Sequence, residues 1–138
     1  MVILVVIGIV PSFIVKNVVV NSYETRAVSI REVNLKNQCD ILGNQLMKEN
    51  YLREPDSDVI NGELSMLSAI YNGRILIINK DAKIIKDTYD IDVGKYALSE
   101  EVIQCFEGKS TANYDDKNAY IEMTSPITKM DSNTIEGV

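Results

Sequence analysis

The spacing of apolar positions changes along this chain, and each change marks a different kind of element. Residues 1–15 carry no charge and are mostly Val and Ile; Lys16 and Asn17 interrupt them, and Val18, Val19 and Val20 follow. A spanning helix needs about 20 apolar residues, with a lower limit of roughly 17. Lys16 can reach the interface with its ammonium group and let the valines extend the span. Residues 1–16 are therefore read as a transmembrane segment whose cytoplasmic start is trimmed away. A cleaved secretory signal is the main alternative, although no basic residue precedes the run and no A-x-A-like site follows it. A buried strand of a soluble protein is the third reading.

Residues 17–53 contain no proline and one glycine, Gly43. Val28, Leu35, Cys39, Leu42 and Leu46 follow one another at steps of seven, four, three and four, which is helical spacing. Ala27, Ile30, Ile41 and Met47 widen the stripe, and Glu24, Arg26, Arg31, Glu32, Lys36, Lys48 and Glu49 form a polar side. The pattern predicts one long helix over residues 17–53. A helix of that length suits a rod that rises from a bilayer and pairs with its twin through the stripe. An ordinary amphipathic helix broken near Gly43 is the alternative.

The run EPDSD then breaks the helix, because Pro55 disfavours helical geometry at Glu54. Asp56, Ser57 and Asp58 are each suited to cap a following helix. Ile60, Leu64, Leu67 and Tyr71 give that helix its apolar face, and Asn72-Gly73 ends it, with glycine as the expected cap. RILIIN and KIIKDTY read as two antiparallel strands around the turn Asn79-Lys80-Asp81-Ala82. A loop turning at Gly94 leads to a short helix capped by Ser99, with Val102, Ile103, Cys105 and Phe106 as its apolar residues and Gly108 as its end. Two hairpin turns follow, at Asp115–Asn118 and Met130–Asn133, and Pro126 limits the ladder between them. The expected fold class is α+β: an antiparallel sheet of about five strands over residues 59–138, carried by the long N-terminal helix, its last strand incomplete at IEGV.

Composition narrows the chemistry. The chain has 138 residues, 20 Asp plus Glu against 14 Lys plus Arg, and a net charge of −6. No Lys/Arg run exceeds one residue, so nucleic acid is not an expected partner. There is no histidine, which excludes Ser-His-Asp and Cys-His nucleophiles and every His-containing zinc site. Two cysteines, Cys39 and Cys105, are too few for a thiolate metal site. They are read as unpaired core residues; a single disulfide or a contact between subunits are the other readings. Asp87, Asp90 and Asp92 fall in one loop and Asp115 and Asp116 in another. Without calcium-loop spacing they are read as solvated loop acids.

The segments IINKDAKIIKDT, VGKYALSEEVIQCFEGKS, YIEMTSPI and IEGV, in this order, resemble the extracytoplasmic PAS-like domains, also called Cache or PDC domains, of bacterial sensor histidine kinases, in particular the Gram-positive cell-wall sensor kinases of the WalK type. The likeness covers residues 74–138, and the helix plan extends it toward the start. Asn79 and Ala82 depart from it, standing where the family has Asp and Gly. The resemblance implies a sensor domain at the cell membrane, outside the cytoplasm, spanning residues 17–138 and forming a homodimer through Val28, Leu35, Cys39, Leu42 and Leu46. It implies no catalytic residue or cofactor here, since ATP and Mg²⁺ belong to a kinase core outside these residues. The expected signal is a small molecule or an envelope protein. Candidate ligand-lining residues are Arg74, Tyr89, Tyr96, Tyr114 and Tyr120, Arg74 for its bidentate reach to a carboxylate and the tyrosines for apolar area with a hydroxyl. A membrane-anchored interaction protein without kinase output, or a chemoreceptor, are the alternatives.

Overall fold

The structure is a computed structural model that describes residues 29–138. Among the described residues, Leu35–Val138 form one compact unit. The expected transmembrane segment, the start of the long helix and Val28 lie outside the described residues. Among the described residues, no helix is long and apolar enough to cross a membrane.

The first helix, α1, covers residues 29–48. It stops at Lys48, not at Arg53 as the spacing predicts. Asn50 takes the left-handed conformation at φ 53°, and the amide of Tyr51 bonds back to the Leu46 carbonyl at 3.0 Å. This closing loop satisfies the last carbonyls and turns the chain. Helix α2, Asp58–Tyr71, starts where Ser57 accepts a hydrogen bond from the Ile60 amide. At its other end Asn72, not Gly73, adopts the left-handed cap, at φ 48°. Asparagine enters this region at lower cost than most residues, because its short polar side chain bonds locally.

Six short strands follow instead of one sheet of about five. They form three antiparallel pairs: β1 (Leu76–Ile78) with β2 (Ile84–Asp87), β3 (Thr111–Asp115) with β4 (Tyr120–Thr124), and β5 (Ile127–Thr128) with β6 (Ile135–Gly137). Irregular register at Ile77/Ile78 and Ile127/Thr128 shortens two of the ladders. Pro126 separates β4 from β5, as a residue without an amide hydrogen must. Beyond the pairs, Ile78 and Val138 exchange backbone hydrogen bonds of 2.8 and 2.9 Å, so the chain after β6 runs along the end of β1. On the other side, residues 94–97 line β2: the Ile84 amide donates to the Lys95 carbonyl, and the Ala97 amide to the Ala82 carbonyl, each at 2.8 Å. Helix α3, Glu100–Phe106, is inserted between β2 and β3.

The β1 strand is apolar on both faces, and each face buries its own core. One core holds Leu42 and Leu46 of α1, Tyr51, Ile60, Leu64 and Leu67 of α2, and Ile77 and Ile127, with Ile75, Ile85 and Leu52 packed beside them. The second holds Ile78, Ile84, Val102, Cys105 and Val138, flanked by Leu76, Ala97 and Phe106. Alternate residues of a strand point to opposite faces, which divides Ile75 and Ile77 from Leu76 and Ile78. Tyr51 is fully buried, and its hydroxyl donates to Asn61 Oδ1 at 2.6 Å, so the one polar atom it brings inside has a partner.

Candidate functional site

The strongest electrostatic feature of the chain grows from the end of β2. Asp87 is the last residue of that strand and stands opposite Leu76 in the ladder, which brings Arg74 within reach. Its side chain is 0 % exposed. A buried carboxylate is costly unless every lone pair is used, and here five hydrogen bonds converge on it. Oδ1 accepts from Arg74 Nε and from the Tyr89 amide, both at 2.9 Å. Oδ2 accepts from Arg74 Nη2 at 2.5 Å, the Asp92 amide at 3.0 Å and the Ile91 amide at 3.1 Å. The loop after β2 is thus folded around one carboxylate.

The pair is extended outward. Arg74 Nη2 also donates to Asp92 Oδ2, and Lys95 Nζ to Asp92 Oδ1, both at 2.7 Å. The Tyr89 ring lies 6.0 Å from the guanidinium carbon of Arg74, at the limit of cation–π contact. The Arg74 hydrogen bond holds Asp87 well below the usual carboxylate range, against the opposing effect of burial and with help from the loop amides. Asp87 and then Asp92 push Arg74 upward, and Lys95 and then Arg74 lower Asp92. Two carboxylates and two cations balance locally. The site therefore holds fixed charges in a fixed loop, and neither Asp87 nor Arg74 is poised to exchange a proton near neutrality.

The expectation that Asp87 is a solvated loop acid is overturned, since it is the most completely buried charged group described. The signal lay in the strand pairing: once the hairpin turns at residues 79–82, Arg74 and Asp87 fall at the same end of the ladder. Asp90, at φ 53°, is exposed and is the turn residue of that loop. Of the proposed lining residues, Arg74 and Tyr89 come together. Tyr96 is 67 % exposed and bridges to Lys83, while Tyr114 and Tyr120 belong to the β3–β4 hairpin. The partners of Arg74 are acids of its own chain, in place of a ligand carboxylate.

The proposed pairing stripe of α1 is also placed. Leu42 and Leu46 are turned into the core of their own chain, and Leu35 and Cys39 are half-buried. Both cysteines are free, Cys105 buried and Cys39 partly so. Burial pushes both thiols up. Among the described residues, no group of three or more His, Cys, Asp or Glu side chains is arranged to hold a metal ion. No protein-family model and no curated protein matches the sequence.

Proposed function

We propose that this chain is an extracytoplasmic PAS-like sensory domain of a membrane-bound two-component sensor histidine kinase, and that it passes a stimulus from α1 to its C-terminal strand. The observation that carries the reading is the junction of those two elements. Val138 pairs with Ile78 of β1, and a Cβ added to Gly137 would collide with the Ile78 carbonyl oxygen and lie 3.3 Å from a methyl of Leu52, just after α1. A stimulus that favours one position of α1 over another would change the population of β6 positions by its differential affinity. The kinase activity itself belongs to a separate core with its own ATP and Mg²⁺, and α1 pairs two copies of the domain through Leu35 and Cys39, the part of its stripe that its own core leaves half-buried.

The test is a chimera that joins this chain to the second span and kinase core of a sensor kinase with measurable autophosphorylation. Loosening the junction by Gly137→Ala is expected to change phosphorylation at unchanged protein level. Phosphorylation indifferent to that substitution would remove the signalling reading.

A second reading, a docking module without kinase output, is favoured by one observation. Tyr89, Ile91, Val93, Tyr96 and Leu98 are all at least half exposed within ten residues, a density of apolar surface that interaction sites share. Co-purification of an envelope protein that is lost on Ile91→Asp, with phosphorylation of the chimera unmoved, would decide for it.

A further inference from the structure

We propose that α3 is a detachable element, a helical lid of residues 99–108 that leaves the sheet as a rigid body while the rest of the domain stays folded. The first ground is its hydrogen bonding. The Val102 amide donates to Ser99 Oγ, the Ile103 amide to the Ser99 carbonyl, the Gly108 amide to Cys105, and the Lys109 amide to Gln104. Gln104 Nε2 donates to Glu100 Oε1. All the described backbone hydrogen bonds of this segment close within it, so moving it orphans no buried backbone group. The strand-like residues before it are different: Gly94 and Lys95 are tied to Ile84 of β2 and Ala97 to Ala82 in the turn before it, and they would stay behind.

The second ground is how little holds it down. α3 contributes two buried side chains to the second core, Val102 and Cys105, with Phe106 packed beside them. The helix also packs against β3 and β4. Ile103 is exposed, as is Leu98 at the entry. The first core, by comparison, is built from eight buried residues on both helices and the strands. Free energies of local opening follow such differences in buried contact, and the weakest-held unit opens first. The third ground is the exit, where Gly108 at φ 91° gives the chain a turn with no side chain to strain. Opening would uncover Ile84 of β2 together with Ile78 and Val138, which pair along the end of β1.

Cys105, the fully buried residue that α3 turns toward the sheet, reports the event. In the full chain carrying Cys39→Ser, the rate of Cys105 modification by a small disulfide reagent is measured against urea, beside far-ultraviolet circular dichroism for global unfolding. The expected result is modification well below the unfolding transition, with an opening free energy that falls less steeply with urea than that of global unfolding, because only the second core is exposed. Val102→Ala should speed it roughly tenfold, since the deleted methyl groups fasten α3 to the sheet. Modification that tracks global unfolding in slope and midpoint would overturn the proposal, as would immediate modification at the rate of a free thiol. A rate untouched by Val102→Ala would overturn it too, because Cys105 would then be reached by another path.

Discussion

At the scale of single residues, Asp87 is the position on which most depends. Asp87→Asn keeps the shape but removes the charge that Arg74 and three amides are arranged around, and should cost about 3 kcal/mol, read from urea unfolding at neutral pH. The same group sets an acid limit. Its folded pKa lies below the unfolded value of about 3.9. The unfolded chain therefore takes up the proton first as pH falls. The stability it supplies is complete above roughly pH 5 and is lost progressively below that. Wild-type stability should decline between about pH 5 and 2, and the decline should be shallower in Asp87→Asn. Ala82 is the opposite case. It closes the β1–β2 turn at φ 61°, with Asn79 Oδ1 accepting from the Asp81 and Lys83 amides, both at 3.0 Å. Ala82→Gly should therefore stabilise by about 0.5–1 kcal/mol, measured as a higher urea midpoint at unchanged slope. The Asn79 cap was legible in the sequence, because Asn beside Lys-Asp between two β-branched runs has few other uses. The buried state of Asp87 was not, since its neighbours Asp90 and Asp92 made it look like one acid among three, and only the pairing to Arg74 separates it.

At the scale of elements, local chemistry announced most starts and fewer ends. Ser57 and Ser99 cap their helices as their positions imply, each accepting from the amide three residues on. The end of α1 was hidden because Asn50 follows an unbroken run of good helix formers, and an asparagine in the left-handed region carries no stronger mark than an asparagine in a helix. The long apolar stripe was equally ambiguous. Spacing shows that Leu42 and Leu46 share a face, but only packing shows that the face is spent on α2 and the sheet. Pro126 was readable as a break, yet whether a break leaves one bent strand or two is decided by register. The β1–β6 junction gives the sharpest prediction at this scale. Gly137→Ala places a methyl group against the Ile78 carbonyl oxygen and Leu52, and should cost about 2 kcal/mol or more. Hydrogen exchange should show the loss at the Ile78 and Val138 amides first, with α2 still protected.

At the scale of the whole molecule, the sheet joins two cores that draw on different parts of the sequence. The larger takes Leu42 and Leu46 from α1, so the helix is structural as well as any conduit it provides. Deletion of residues 1–48 should leave a chain without a cooperative urea transition, because two leucines of about 2–5 kcal/mol each are withdrawn at once. Retention of a sharp transition would show that α1 is dispensable. The α+β class was legible from the change in spacing between helical and strand segments. The pairing of Val138 along the end of β1 was not, because backbone pairing between residues sixty apart leaves no local trace. One consequence of the two-sided sheet concerns alignment. A strand with one oily face is kept in step by that face, since sliding by one residue would turn it to water. The β1 strand has no such safeguard, for Leu76, Ile77 and Ile78, with Ile75 just before them, are interchangeable in greasiness. Its alignment is bolted at the two polar ends instead, by Arg74 on Asp87 and by Asn79 on the Lys83 amide. Removing both bolts together would leave a hairpin free to slip, with its interior intact in composition and scrambled in shape.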